Sequence, residues 1–430
     1  MKNLLDEQAI AILKKNDRGG FTIPTARLYP FQWNWDSAFI ALGLATIDLE
    51  RAWTELETLI SGQCYDGMIP SIVFRSDNTD YFPGPEIWQN PNCPVSVTGI
   101  SQPPVLASVI LSLVRMNPIL GHTKASQLFE PVMRWSRWFD QYRRTDHAPA
   151  ICAVHPWETG RDNCPDWNIG LSQIEIDTGL PSYSRKDIIH AHASQRPSQL
   201  EYDKYLTIVK FGRDCSWDQE KLLKNGPFCV ADPGLHFILL RANRDLLSLA
   251  NFLGRAEHEK AEIAGWIDSG VKASDYLWND KVKAFCARDT RTGKFSNGFS
   301  SASALMFYAG AGSKKQKEYT LEHINRINEK TKFGIPSWDP DTKEFEGQRY
   351  WCGPLWCQMN YMISMGLTET GEAELAEKLR LDLQQVIEFS GFYECFNPLS
   401  GQGCIGKDFS WTAALWLAWA GPSSPSPHVA

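Results

Sequence analysis

The 430-residue sequence lacks nearly everything that marks a nucleic-acid-binding or membrane protein. No block of lysine or arginine interrupts a chain of formal net charge −7, which removes the electrostatic footing for nucleic acid and anionic membrane surfaces. No window approaches the ~20 apolar residues of a membrane span. The start, Met1-Lys2-Asn3-Leu4-Leu5-Asp6-Glu7, has no apolar run of the signal-peptide kind, so a cytoplasmic protein is expected. Signals for bound groups are also missing. The P-loop, the Rossmann glycine pattern, the serine-hydrolase elbow and HExxH are absent, and His190 and His192 form only an HxH pair. The 11 cysteines include no CxxC and no zinc spacing, so scattered reduced thiols are expected, with the closest pair, Cys352 and Cys357, as small buried hydrophobes. Neither a metal nor an organic cofactor is expected.

What the chain has in excess is aromatic surface, with 17 Trp, 13 Tyr and 21 Phe, many beside carboxylates or Pro/Gly turns. Sugar rings present C–H faces that stack on aromatic planes and hydroxyl edges that need carboxylate, amide or guanidinium partners. A pocket for a small glycoside fits that composition, and so does a tryptophan-rich core.

Apolar residues recur at helical spacing, which predicts a mostly α protein. Helices are expected near 36–46, 49–62, 103–116, 125–143, 198–211, 233–253, 257–277, 298–309, 316–327, 353–365, 370–389 and 409–420, after a polar N-terminal helix. Some follow one another through short turns, as antiparallel neighbours do. Others are separated by the long Pro-, Gly- and Trp-bearing stretches 63–102, 144–197 and 328–352. That alternation suggests six helical hairpins closing a ring, with plain turns at one end and an elaborated pocket at the other. The expected fold class is therefore all-α, an (α/α)6 toroid with long loops on one face. Residues 1–420 are read as a single catalytic domain and 421–430 as a loose tail rich in Pro and Ser.

Three segments carry candidate chemistry. His155-Pro156-Trp157-Glu158-Thr159-Gly160-Arg161-Asp162-Asn163-Cys164-Pro165-Asp166-Trp167 puts three carboxylates and an arginine between two tryptophans, and aromatic walls raise a carboxyl pKa by desolvation. Gly391-Phe392-Tyr393-Glu394-Cys395-Phe396-Asn397-Pro398 brackets one carboxylate with aromatics. Tyr29-Pro30-Phe31-Gln32-Trp33-Asn34-Trp35-Asp36-Ser37 opens a helix that Asp36 or Ser37 is able to cap, although its three aromatics also suit a sugar platform in which Asp36 grips hydroxyls.

These segments resemble glycoside hydrolase family 63 and, more distantly, the trehalases, which share the (α/α)6 toroid. Tyr29 to Ser37 is similar to that family's aromatic-Trp-Asp-Ser signature, Ser101-Gln102-Pro103-Pro104 to its Gln-Pro-Pro turn, Tyr350-Trp351-Cys352-Gly353-Pro354-Leu355-Trp356 to its Tyr-Trp-Arg-Gly-Pro block, and Lys407-Asp408-Phe409-Ser410-Trp411-Thr412 to its closing motif. The resemblance implies an inverting α-glycosidase with Asp162 as general acid and Glu394 as general base. It implies a sugar subsite from Tyr29, Trp33, Trp35, Asp36, Gln102, Trp157, Gly160, Tyr350, Trp351 and Trp356. The chain looks most like the short bacterial hydrolases of glucosylglycerate and mannosylglycerate, in which Arg196 and Tyr202 would hold the glycerate carboxylate. The loop 78–85 is similar to a mobile lid whose Tyr81 reaches the substrate. Cys352 departs from the pattern, standing where many relatives have arginine.

Two other readings compete. A hydrolase of neutral α-glucosides would use the same acid and base, with Arg196 in a salt bridge to Glu201 or Asp203. A silent sugar-binding protein would keep the aromatics without chemistry, and self-association is left open.

Overall fold

The computed structural model describes residues 4–78 and 80–424. Among these residues, six helices pack side by side into a closed inner ring: Asn34–Ala45, Leu106–Met116, Pro233–Phe252, Ser301–Ala309, Cys357–Glu369 and Ser410–Leu415, the last returning to the first. Each has an outer partner: Leu49–Ile60, Pro118–Tyr142, Glu257–Ala273, Lys314–Asn328, Ala373–Ser390 and Leu4–Asn16, in the same order. The chain is an (α/α)6 barrel.

The two layers differ as their burial requires. Inner helices are enclosed on all sides, and every residue of Ser301–Ala309 is buried. Outer helices are amphipathic, so that Leu49–Ile60 buries Ala52, Trp53, Glu55, Leu56 and Leu59 along one stripe. The inner ring is tight enough to need glycine. A Cβ on Gly43 would stand 2.3 Å from the Ala414 Cα, and one on Gly366 would stand 2.1 Å from the Tyr308 amide nitrogen.

Five short turns join the end of an inner helix to its outer partner, whereas long segments lead from an outer helix to the next inner one. All long connections therefore gather at the face where the inner helices begin. Two details differ from the sequence expectation. The 198–211 segment does form a helix, Gln199–Asp214, with a Ser198/Glu201 capping box, but it lies outside the ring against the short helix Pro85–Trp88. The twelfth ring position belongs instead to the N-terminal helix, pinned by Trp416 Nε1 donating to Asp6 Oδ1 (2.8 Å) and Asn16 Nδ2 donating to Ser410 Oγ (2.9 Å).

The thiols are not all free. Cys64 and Cys93 form a disulfide, against the expectation of reduced cysteines throughout, because the Tyr65 amide bonds the Asn92 carbonyl and brings the two ends of this loop together. Cys352 and Cys357 are buried and unpaired, as expected. Gly421–Ser424 folds back on the last helix, Ser424 Oγ donating to the Trp419 carbonyl, and residues 425–430 of the expected tail lie outside the described residues.

Candidate active site

The long loops line a cavity at the mouth of the ring, bounded among others by Tyr29, Trp33, Trp35, Asp36 and Tyr81, then Gln102, Trp157, Asp162, Arg196, Tyr202, Tyr350 and Glu394. That mixture of aromatic and polar walls suits a small polar ligand with apolar faces.

Asp162 sits on a loop fixed by buried ion pairs. Glu158, fully buried, takes Arg143 in a two-point grip (2.8 and 2.7 Å) and also accepts the Ser101 and Val154 amides. Arg161 bridges Asp166 (2.7 Å) and Asp232 (2.5 Å). Gly160 turns the chain at φ +66°, where a Cβ would lie 2.5 Å from the Trp35 ring. Of the three carboxylates legible in this segment, two are thus neutralised by arginines. Asp162 is left facing the cavity, with the Tyr350 hydroxyl at 3.4 Å as its side-chain donor.

Glu394 comes from a hairpin between Tyr393–Phe396 and Gly403–Lys407, whose register slips between Tyr393 and Cys395. A bulge at that point re-aims the intervening side chain, here into the pocket. The carboxylate accepts from the Tyr29 hydroxyl (3.1 Å) and the Gly406 amide (3.3 Å), and is 1% exposed. The two tyrosine hydroxyls are themselves 3.3 Å apart. Asp162 and Glu394 are therefore joined by a three-link path, which keeps their oxygens within about 10 Å of each other, a span that includes the ~6.5–9.5 Å typical of inverting pairs.

Burial dominates the electrostatics. It pushes the Asp162 carboxyl up to about 7 against the pull of Arg196 and Tyr350, and Glu394 up to about 7 against Arg196, Tyr29 and the Gly406 amide. Asp36 is raised well above the carboxylate range by burial and by the charges of Glu394 and Asp162. Its side chain does not cap the helix. Trp33 is the N-cap residue and contributes no side-chain bond, Ser37 Oγ donates to Glu55 (2.6 Å), and Asp36 projects into the cavity.

Arg196 does not pair with Glu201 or Asp203. Its Nε donates to Asp187 (3.0 Å), its Nη1 to the Tyr29 hydroxyl (3.1 Å), and its guanidinium lies 4.2 Å from the Tyr350 ring centroid. Glu201 is taken by Arg349 and by its own helix cap, and Asp203 by Tyr183 and Gln199. Asp187 is shared with Arg185, which grips it at 2.6 and 3.0 Å. The Tyr202 ring lines the pocket, but its hydroxyl donates to the Phe82 carbonyl (3.0 Å). That bond, the Phe82–Tyr183 stack (5.1 Å) and Tyr81 set edge-on to Trp33 (5.4 Å) hold the 80–85 segment in place, with Asp80 to Pro83 forming part of the cavity wall; Thr79 of the expected lid lies outside the described residues. Gln102 spends its carbonyl oxygen on the Trp35 amide (3.2 Å).

A family profile described as the mannosylglycerate hydrolase MGH1-like glycoside hydrolase domain matches residues 29–412. The chain belongs to that family. It is a glycoside hydrolase. Mannosylglycerate hydrolase MGH1 of Selaginella moellendorffii is 41% identical, across 97% of this chain and 86% of the relative. The glucosylglycerate hydrolase of Mycolicibacterium hassiacum is 30% identical, across 97% of this chain and 98% of its own length. The crystal structure of family 63 mannosylglycerate hydrolase from Thermus thermophilus, in complex with Tris and D-glycerate, superimposes with a TM-score of 0.91 at 39% identity, covering 96% of this chain and 98% of that one.

Two residues expected in the sugar subsite stand behind it. Trp351 stacks 3.8 Å from Trp356 and 6.3 Å from Trp35, and both are fully buried in this stack rather than part of the cavity lining; Trp351 takes the left-handed conformation (φ +59°). Cys352 is also behind the wall, donating to the Asn163 carbonyl (3.3 Å), one residue beyond Asp162. Lining residues not among the expected site residues include Trp88, Lys186, Asp187, His190, Phe409 and Trp411. The last two stand in a quoted motif, so their signal was present; Asp187 lies in a charged stretch with no aromatic neighbour. Among the described residues, no group of three or more His, Cys, Asp or Glu is placed to hold a metal ion.

Proposed function

We propose that this chain hydrolyses an α-linked hexosyl glycerate, mannosyl or glucosyl, to free sugar and glycerate by single displacement. Asp162 protonates the leaving oxygen and Glu394 deprotonates the attacking water. The observation that carries the reading is the pair itself: two desolvated carboxyls, each raised to about 7, line one cavity and are bridged by two phenols. Near neutrality such a pair shares one proton, as an acid–base couple requires. Glu394 has two donors, the Tyr29 hydroxyl and the Gly406 amide, which favour its ionised form. Asp162 has one longer bond, from Tyr350, and more readily keeps the proton.

The acidic aglycone is supported at the Arg196 corner. Arg196 and Lys186 both line this side of the cavity, and Asp187, the ion-pair partner of Arg196, is also gripped by Arg185. A carboxylate fits beside these two cations. A cytoplasmic location belongs to the same proposal; nine free cysteines support it and the single Cys64–Cys93 disulfide counts against it. Among the described residues, no helix is long and apolar enough to cross a membrane.

The test is a panel of mannosylglycerate, glucosylglycerate, glucosylglycerol and trehalose, with the released anomer followed by NMR. The expected outcome is turnover of a glycerate glycoside with the β-anomer appearing first, and an Arg196→Ala variant that loses about 10- to 100-fold in kcat/KM on that substrate, as for a charged hydrogen bond. Equal turnover of neutral glycosides, unaffected by Arg196→Ala, would sink the glycerate assignment; first appearance of the α-anomer would sink the single displacement.

A further inference from the structure

We propose that Tyr29 and Tyr350 form a proton wire that resets the enzyme between turnovers. This rests on the acid–base assignment above and goes beyond it. Single displacement leaves the catalytic pair in the wrong state: Asp162 has given its proton to the leaving oxygen, and Glu394 has taken one from water. No net proton is gained or lost, but one must move from Glu394 back to Asp162 before the next cycle.

Solvent meets the two ends unequally: the Asp162 carboxyl is partly exposed, whereas Glu394 is 1% exposed and its oxygens are taken by the Tyr29 hydroxyl and the Gly406 amide. The side chains supply a direct route. Glu394 Oε1 lies 3.1 Å from the Tyr29 oxygen, that oxygen lies 3.3 Å from the Tyr350 oxygen, and the Tyr350 hydroxyl donates to Asp162 Oδ2 at 3.4 Å. The Tyr29 hydroxyl has one proton and two acceptors within reach, Glu394 on one side and Tyr350 on the other. Its two orientations are the two ends of the reset.

The step balances. The protonated Glu394 gives its proton to the Tyr29 oxygen, the Tyr29 proton passes to the Tyr350 oxygen, and the Tyr350 proton passes to Asp162. Three O–H bonds break, three form, and no electron is transferred. Afterwards all three hydrogen bonds point the other way, and Tyr29 again donates to an ionised Glu394. Arg196 serves the wire at both phenols: its Nη1 donates to the Tyr29 oxygen at 3.1 Å, and its guanidinium covers the Tyr350 ring at 4.2 Å, so negative charge passing along the oxygens is stabilised. Burial raises both phenols well above their ordinary range, so each remains protonated at rest, as a relay needs.

The test separates chemistry from reset by rapid quench of Tyr350→Phe, with Tyr29→Phe as the second variant. The wire requires a burst of one product per active site, followed by a steady state slower than the first turnover by about tenfold or more. That slow phase should carry a solvent deuterium isotope effect and should accelerate with imidazole concentration at fixed pH and ionic strength, as a mobile carrier replaces the missing hydroxyl. A first turnover slowed as much as the steady state would mean that the phenols only position groups, and the proposal would fall. Unchanged kinetics in both variants would also overturn it, and so would a burst insensitive to deuterium and buffer, which marks slow product release. Full turnover in Asp162→Asn or Glu394→Gln would instead overturn the acid–base assignment, whatever the tyrosine variants show.

Discussion

Two sets of carboxylates meet at the catalytic loop of this protein, where Asp162 lies four residues from both Glu158 and Asp166, and they are treated in opposite ways. Beneath the catalytic loop, Glu158, Asp166 and Asp232 are each held by an arginine at 2.5–2.8 Å. On the pocket side, Asp162, Glu394 and Asp36 have no ion pair of their own among the described residues. Burying a charge is tolerated when a cation answers it; otherwise the group becomes neutral or titrates far from its usual range. The paired set fixes the loop in space. In the unpaired set, Asp162 and Glu394 are held where a carboxyl is able both to give and to take a proton, and Asp36 is pushed towards its neutral form.

Exchanging the chemistry of the two sets is the sharpest way to break this comparison. The largest effect is expected from Asp162→Asn and Glu394→Gln, each lowering kcat by about 10²- to 10⁴-fold while leaving the urea midpoint at neutral pH no lower than in the parent. A drop in stability as large as the drop in rate would place these carboxylates with the structural set. The reverse pattern is expected of Glu158→Gln. It leaves the fully buried Arg143 without its partner, and removing one member of a buried pair costs about 3–5 kcal/mol. Chemical denaturation of that variant should show the loss directly, and an unaltered midpoint would show that the pair contributes no net stability.

The sequence revealed one set better than the other, for physical reasons. Helices were legible because a 3.6-residue apolar period survives in each segment, but ring membership was not. Closing the barrel depends on Asp6 reaching Trp416 and Asn16 reaching Ser410, contacts that leave no local trace. Asp162 and Glu394 stood out because both lie in turn-rich segments flanked by aromatics. The bulge that aims Glu394 inward follows from the pairing of two strands and is invisible in either alone. Asp187 was missed because an acid among charged neighbours reads as solvated surface, whereas here it anchors two arginines. Trp351 and Trp356 were over-read for the opposite reason. An aromatic beside a Gly-Pro turn looks the same whether it faces a ligand or the core, and the stacking of Trp351 between Trp356 and Trp35 is a tertiary contact the local sequence does not show. The Cys64–Cys93 bridge depends on a loop returning upon itself, which spacing does not reveal.

The smallest effect is the most specific to the unpaired set, because it concerns stability rather than rate. Asp162 and Glu394 titrate at about 7 in the folded protein, against 3.8 and 4.5 when free of their surroundings. Below about pH 4 both states hold these protons, and the two carboxyls contribute no difference between folded and unfolded chains. Between about pH 4 and 7 the unfolded chain releases them first, so the folded state binds more protons and its stability falls as pH rises. Above pH 7 the penalty is complete. Asp162→Asn removes its share, so the variant should be more stable than the parent at pH 8 by on the order of 2 kcal/mol, after allowing for the cavity water that its partly exposed carboxyl meets, and nearly equal to it at pH 4.5. Urea melts of both proteins at the two pH values measure that gap. If it is the same at both, or if the parent is the more stable at pH 8, Asp162 is not held in an environment that resists its charge, and the contrast between the paired and unpaired carboxylates fails at its central residue.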